Sequence, residues 1–451
     1  MKRFLALLLV TVLLGSTLVG CQYSSSDSSD KSSGDTGTAD TSTPAGSDTS
    51  DAAASDTKPT GEPILIGGVY PLTGDLADSG KNMQYGIQMA LDEVNAAGGI
   101  DGRPIEITYG DSKGAGATGM TEMERLITQE KVLAVIGAYQ SSVTEVVSQV
   151  SETYKVPMIT ANATSDALTS HGYKYFFRLA PTNMMFIRDM IQFISEEDEK
   201  NDDMSIKTVA VCADNTEVGQ QTVEWTKYWA KEHGYDYLGE VLYSQGAADL
   251  TSEVLQLKDM NPDALILDSY VSDAILLTKT FNEQGYAPKL AIAKGNGYTE
   301  ASYLQSVENL ANGITLATEY VPGSKGQNVS VEFEKKYGVA MNGHSAEAYT
   351  TTWVLATALQ NIADAGLDIT TETIKDELSK IKIDGQFANG NEIILPYDTI
   401  EFTTSEFNGS TYENQNMGGK LTVVQVQNGL YVPVWPFDIT DSEFIYPAPL
   451  K

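Results

Sequence analysis

The sequence predicts an α/β protein with two units of similar size, each a parallel sheet with helices on both faces. From residue 64 to about residue 319, short β-branched apolar runs alternate with segments whose apolar residues recur at helical spacing. The alternation restarts after residues 178–181, and strands alternating with helices in this way form parallel sheets. The chain has 451 residues, 41% of them hydrophobic, which suffices for two cores of ordinary size.

The predicted elements follow the chain in order. In the first unit we expect strands at 64–70, 104–109, 132–136 and 156–160, and helices at 82–97, at 117–129 and from 141 onward. In the second unit we expect strands at 208–213, 237–242, 264–267, 290–293 and 314–319, and helices at 184–195, 220–233, 250–260, 272–284 and 299–305. Helices at 329–337, 345–363 and 371–378 bring too few strands for a third sheet, so we expect them to return to one of the units. A strand pair is predicted at 421–434, around Gly429.

The first residues have the pattern of a secretion signal rather than of a fold. Lys2 and Arg3 precede an apolar run at 4–14, and residues 18–21 read Leu-Val-Gly-Cys, which resembles a bacterial lipobox. We expect residues 1–20 to be a lipoprotein signal peptide and Cys21 to carry the lipid. An uncleaved membrane anchor is the alternative, although the apolar run is short for a span. Residues 21–62 are rich in Ser, Thr and Asp and predict a disordered tether.

Charge and cysteine content restrict the partners. The formal net charge is −32, from 61 acidic and 29 basic residues. Such a surface repels nucleic acid and anionic lipid, so neither is expected as a partner. After modification of Cys21 only Cys212 remains, which lies in an apolar strand and is expected in the core.

Two hydroxyl-bearing loops predict a binding site for a small anion. Ser141 and Ser142 open a helix after the strand at 132–136, and Thr164 lies in the loop after the strand at 156–160. In a parallel sheet both loops emerge at the edge where such folds bind ligands. Hydroxyls beside the free N–H groups of a helix start can hold a carboxylate. The alternative is that one of the serines only caps its helix.

An ordered series of motifs resembles the solute-binding proteins for leucine, isoleucine and valine that feed ABC importers. The matching segments are 67–74 (GGVYPLTG), 86–102, Asp111, 135–144, 157–164, 177–178, 214–219, Gly338 with Tyr349, and 424–434. The likeness covers about residues 63–436.

This resemblance implies the type I periplasmic-binding-protein fold, with two Rossmann-like lobes joined by three hinge crossovers and the ligand in the cleft between them. Lobe one would comprise residues 63–180 plus 319–416, and lobe two residues 181–318 plus 417–451.

The resemblance also assigns roles to residues. Ser142 and Thr164 match the positions that hold the carboxylate and ammonium of the ligand, and Asn162, next to Ala163, matches one that contributes a backbone carbonyl. Tyr270 matches an aromatic residue of lobe two, although it could instead be a rim residue that packs on its own lobe.

Three positions depart from the family pattern. Val218 and Ser79 stand where aromatic residues are usual, which would widen the cleft, and Tyr139 could fill part of the space. Gly295, followed by Asn296, stands where an acidic partner for the ammonium is expected. Asp268, Glu319 and Glu217 are all candidates to replace that acid.

The predicted function is transport rather than catalysis. No G-x-S-x-G elbow is present, and His171, His233 and His344 lack metal-binding spacing, so neither a metal nor a cofactor is expected. Residues 114–121 have Walker-type glycine spacing, but Met120 stands where Lys is required.

We expect a lipid-anchored, extracytoplasmic protein that binds an amino-acid-like solute. It would deliver this solute to an ABC permease with its cytoplasmic ATPases. A sensor subunit with the same fold, binding an amide, a small carboxylate or another solute, is the alternative.

Overall fold

The computed structural model describes residues 59–322, 324–387, 390–440 and 442–449. The predicted signal peptide, Cys21 and the tether up to residue 58 lie outside these residues. Within the described part, none of the helices combines the length and apolarity that a membrane crossing requires.

Strands and helices alternate for most of the chain. The strands are β1 (Ile64–Tyr70), β2 (Ile105–Asp111), β3 (Val135–Gly137), β4 (Met158–Thr160), β5 (Phe176–Arg178), β6 (Thr208–Asp214), β7 (Asp236–Tyr243), β8 (Ala264–Asp268), β9 (Leu290–Lys294), β10 (Thr315–Thr318), β11 (Lys382–Asp384), β12 (Thr399–Glu401), β13 (Thr403–Phe407), β14 (Ser410–Gln415), β15 (Thr422–Gln427) and β16 (Leu430–Trp435). The helices are α1 (Ala77–Ala96), α2 (Gly116–Thr128), α3 (Ser141–Tyr154), α4 (Asn183–Lys200), α5 (Glu217–Glu232), α6 (Thr251–Met260), α7 (Val271–Glu283), α8 (Gly295–Tyr298), α9 (Ala301–Val307), α10 (Gln327–Tyr337), α11 (Gly343–Asp364) and α12 (Thr371–Leu378).

Two seven-stranded sheets have corresponding strand orders. The first sheet has the order β13-β14-β5-β4-β3-β1-β2, and the second has the order β16-β15-β10-β9-β8-β6-β7. In each sheet five strands run parallel and a hairpin completes one edge. The hairpin of the first sheet joins through β14, which runs parallel to β5, whereas that of the second joins through β15, which runs antiparallel to β10. The strand order reverses between β1 and β3 and between β6 and β8, and such reversals are where open α/β sheets bind ligands. The predicted fold class, two Rossmann-like units joined by crossovers, is confirmed.

The chain passes three times from one sheet to the other. It leaves the first sheet after Arg178, returns between Thr318 and Thr403, and leaves again after Gln415. On this basis we propose the two lobes with the boundaries expected from the sequence, 63–180 plus 319–416 and 181–318 plus 417–451.

Most differences from the predicted elements concern short or polar strands. β3 and β4 are shorter than the predicted runs 132–136 and 156–160. The sequence pattern does not predict β13 and β14, because both are rich in Ser, Thr, Glu and Asn and therefore lack the apolar alternation of a half-buried strand. Cys212 is fully buried, as expected.

The late helices return to the first sheet, as predicted, and α11 crosses α1. Both helices contribute to one hydrophobic core, which includes Met83, Ile87 and Tyr349. The crossing is close at Gly86, where an added Cβ would lie 2.1 Å from the backbone oxygen of Ser345. Asn342 caps α11 and accepts a hydrogen bond from Ser345 N at 3.0 Å. This contact fixes the first turn of α11 next to the carboxyl edges of both sheets.

Candidate functional site

The candidate site is the cleft, by which we mean the space where the carboxyl edges of the two sheets face one another. The first sheet contributes the loops after β3 and β4, which carry Tyr139, Ser141 and Thr164. The second sheet contributes Asp214 and Asp268, which end the strands on either side of its reversal in strand order. Residues from both sheets are hydrogen-bonded to each other across the cleft, so the structure is closed.

The two serines at the start of α3 have different surroundings. Ser141 is buried, and its Oγ accepts a hydrogen bond from Ser165 N at 3.1 Å, which joins the loops after β3 and β4. Ser142 is exposed, because consecutive helical residues point roughly 100° apart. Gln140, and neither serine, occupies the N-cap position. The structure therefore brings Ser141, rather than the favoured Ser142, to the loop that carries Thr164.

Lys294 is the main cleft residue that the sequence analysis missed. It ends β9 and has no exposed surface, and its Nζ donates to Thr164 Oγ1 at 2.8 Å. The same Nζ lies 3.6 Å from Asp268 Oδ2 and 5.4 Å from the ring centroid of Phe186. A charged residue at the end of an otherwise apolar strand, at the edge predicted to bind ligand, was the available signal.

Asp268 and Asp214 form an acidic pair at the edge of the second sheet. Asp268 accepts hydrogen bonds from Thr222 Oγ1 at 2.7 Å and from Asn296 Nδ2. Burial, reinforced by the negative charge of Asp268, raises the pKa of Asp214 to about 6. An acid therefore lies beside Asn296, although it comes from β8 rather than from the position of Gly295.

The other two candidate acids have different surroundings. Glu217 is exposed and accepts from Ser165 Oγ at 3.1 Å. Glu319 is buried, and burial raises its pKa. Glu347, at the start of α11, is also buried, and its pKa is raised well above the usual range by burial and by the charge of Glu319. Asn162 Nδ2 donates to Glu347 Oε2 at 2.8 Å, so the side chain of Asn162 is held against an acid.

Glu300 forms a hydrogen-bonded centre between the two halves. It follows α8 of the second sheet, and its carboxylate contacts three residues packed on the first sheet: Asn82 at 2.9 Å, Asn342 at 3.2 Å and His344 Nδ1 at 3.0 Å. Burial acts to raise the pKa of Glu300, but the hydrogen bond and charge of His344, together with hydrogen bonds from Ser79 and Asn82, lower the pKa overall. Burial acts to lower the pKa of His344, and Glu300 and Glu319 raise it above its usual value.

Aromatic rings also meet across the cleft. The Tyr139 ring centroid lies 5.8 Å from that of Tyr270 and 4.9 Å from that of His344. Tyr270 thus contacts the opposite half and does not pack only on its own. Ser79 is buried beside the Tyr139 hydroxyl and Glu300.

The remaining predicted residues make mainly backbone contacts. Ala163 is buried, and its carbonyl oxygen lies 3.5 Å from Arg178 Nη1. Val218 O accepts from Asn183 Nδ2 at 3.2 Å.

A separate cavity lies beside the second crossover. Its volume is about 490 Å³, and Thr299, Thr318, Tyr320 and Gly343 contribute to its mainly apolar lining. Among the described residues there is no cluster of three or more His, Cys, Asp or Glu side chains that could hold a metal ion. The cleft presents the hydroxyls of Ser141 and Thr164, the ammonium of Lys294 and several carboxyls, and groups of these kinds can bind a polar solute reversibly.

Comparison with known proteins gives consistent matches. The model of the periplasmic binding protein family matches residues 63–429. Leu/Ile/Val-binding protein homolog 8 of Brucella abortus (strain 2308) is 30% identical over 390 residues, which cover 83% of this chain and 90% of the relative.

Two solved structures share the fold. The substrate binding protein LivJ from Streptococcus pneumoniae, in complex with isoleucine, has a TM-score of 0.68 and 22% identity, covering 83% of this chain and all of that one. A solute binding protein of an ABC transporter from Rhodopseudomonas palustris BisB5, in complex with 3,4-dihydroxy benzoic acid, has a TM-score of 0.69 and 17% identity, covering 84% and 98%.

Proposed function

Because this chain belongs to the periplasmic binding protein family, we propose that it is an extracytoplasmic solute-binding protein of an ABC importer. The solute would be an amino acid of the branched-chain type or a related small carboxylate. Both ligands named for the structural neighbours, isoleucine and 3,4-dihydroxy benzoic acid, carry a carboxylate. The observation that carries the proposal is that Ser141 and Thr164 lie on hydrogen-bonded loops at one sheet edge, where Thr164 meets Lys294 of the other sheet.

The ligand would lie with its carboxylate on the first sheet. Ser141, Thr164 and the free N–H groups at the start of α3 supply hydrogen-bond donors for a carboxylate. Asp214 and Asp268 lie on the facing edge and would attract an ammonium group. Hydrogen bonds to charged groups contribute about 1.5–3 kcal/mol each, so four or five support micromolar affinity, about −8 kcal/mol, after ordering costs.

In transport, the permease would recognise the closed form of the protein. Ligand would bind the open protein on lobe one, and closure would add the contacts from lobe two. The permease, with its cytoplasmic ATPases, would distinguish the closed form. A lipid on Cys21 would hold the protein at the outer face of the membrane.

The experiment compares two neighbouring serines. Purified wild-type protein is screened by thermal shift against the twenty amino acids, their common amides and small carboxylates, and hits are measured by calorimetry. Ser141→Ala should weaken binding of the hit at least tenfold, whereas Ser142→Ala, at an exposed position, should leave affinity unchanged. A wild-type protein that responds to no compound would contradict the proposed function. If Ser142→Ala weakened binding and Ser141→Ala did not, the contact with the ligand would instead be made by Ser142.

A further inference from the structure

We infer that Lys294 selects the ligand by its carboxylate: the ammonium of Lys294, brought in by the second sheet, closes onto the carboxylate held by Thr164. This inference rests on the proposed function and specifies the substrate class. It predicts that carboxylates bind, with or without an amino group, and that the corresponding amides and amines are rejected.

Lys294 reaches Thr164 only when the cleft is closed. Its Cα lies at the end of β9 in the second sheet, and Thr164 follows β4 in the first. The bond between Nζ and Thr164 Oγ1, at 2.8 Å, therefore joins the two halves. No surface of Lys294 is exposed, so closure removes its charge from water.

The ammonium of Lys294 is short of acceptors. It has three N–H donors, and among the described residues Thr164 Oγ1 is the one acceptor within hydrogen-bond distance. Asp268 Oδ2, at 3.6 Å, is beyond it and is already bonded to Thr222. A buried charge with incomplete hydrogen bonding is costly, so a ligand oxygen that accepts from Nζ would stabilise the closed form.

Thr164 can serve Lys294 and a carboxylate together. A hydroxyl accepts hydrogen bonds and donates one, so Thr164 Oγ1 can accept from Lys294 and donate its own proton to a carboxylate oxygen. The second carboxylate oxygen can then accept from Lys294. A ligand ammonium at the same place would meet the like charge of Lys294, which fixes the orientation of an amino acid with its ammonium toward Asp214.

A competing role for Lys294 predicts a different change in ligand affinity when the lysine is replaced. If Lys294 only ties the two halves together in the absence of ligand, a ligand must break that tie. Removing the ammonium would then leave affinity unchanged or raise it. Loss of affinity confined to carboxylates distinguishes recognition from such a tie.

The experiment combines matched ligands with matched lysine variants of the full chain. The probes are L-leucine, L-leucinamide, 4-methylpentanoate, 3-methylbutylamine, benzoate and benzamide, measured by calorimetry. Lys294→Met should weaken binding of the acids by about 10- to 150-fold, the effect of one charged hydrogen bond, and leave amide binding unchanged. Lys289→Met is the control, since Lys289 precedes the opposite end of β9, is partly exposed and pairs with Asp263.

Each outcome decides between the two proposals. Wild-type protein that binds an amide or amine as tightly as its matched acid overturns the role of Lys294 and leaves the solute-binding function standing. Unchanged acid affinity in Lys294→Met does the same. If no probe and no compound of the wider screen binds, the proposed function fails, and the inference with it. The acid and amide comparison on wild-type protein decides the matter even if Lys294→Met does not fold.

Discussion

Replacing Asp214 by Asn should change how the stability of the protein depends on pH. Asp214 is 4% exposed, and its pKa is raised from 3.8 to about 6, mainly by burial and secondly by Asp268. The folded protein therefore holds this proton more tightly than the unfolded chain does. That stabilisation is complete below pH 3.8 and is lost as the pH rises through about 6.

The size of the effect on the unfolding free energy follows from the shift of the Asp214 pKa. A rise of about two pKa units, at about 1.36 kcal/mol each, corresponds to about 3 kcal/mol of unfolding free energy lost between pH 4 and pH 7.5. Asn keeps an oxygen that can accept from Thr216 N, as Asp214 does at 3.1 Å, but it does not titrate. Relative to wild type, Asp214→Asn should therefore be about 3 kcal/mol more favourable at pH 7.5 than at pH 4.

The assay is urea denaturation followed by circular dichroism, at several pH values and constant ionic strength. Asp263→Asn is the control, and its effect should have the opposite sign. Burial acts to raise the pKa of Asp263, but hydrogen bonds from Lys289, Lys207 and Thr208 outweigh it and lower the pKa. Its contribution is present above the unfolded pKa and lost on acidification, so Asp263→Asn should cost more at pH 7.5. A difference between Asp214→Asn and wild type that is constant across pH would refute the explanation.

Two further predictions concern the contacts that hold the halves and helices together. Glu300→Gln should lower the unfolding free energy by about 3 kcal/mol at pH 5.5, as expected when one partner of a buried pair is removed. The cost should shrink at pH 9, because the pKa of His344 is raised in the folded protein: the stabilisation from the pair is complete below the pKa of His344 in the unfolded chain and is lost as the pH rises through its pKa in the folded protein. An equal cost at both pH values, measured by urea titration, would contradict this prediction. Gly86→Ala should lower the melting temperature, because overpacking against the Ser345 backbone costs about 1–3 kcal/mol. Gly116→Ala, whose Cβ would meet nothing closer than 3.2 Å, is its control, and equal melting temperatures for the two variants would contradict the clash.

The candidate site shows which binding residues a local sequence pattern can predict and which it cannot. Thr164 was predicted from its place after a strand, Tyr270 from the family resemblance, and Tyr139 from its place just before the serine pair. All three lie along the closed cleft, and their part in ligand binding stays a prediction. The choice between Ser141 and Ser142 was not available from the sequence, since it depends on which side of α3 faces the loop after β4. Asp268 was one of three candidate acids in the sequence, and only the structure shows that it is the one whose carboxylate contacts Asn296, the neighbour of Gly295 and 28 residues further along the chain.

The sequence by itself determined the two α/β units and the edge at which ligand would bind, because these depend on local periodicity and on the geometry common to all parallel sheets. Only the tertiary structure decided which charges face one another across the cleft. Lys294 and Thr164 are 130 residues apart, and Glu300 meets Asn82 across 218 residues. Such pairings depend on how the two sheets close together, and the hydrophobic periodicity of the sequence within each sheet does not predict that closure.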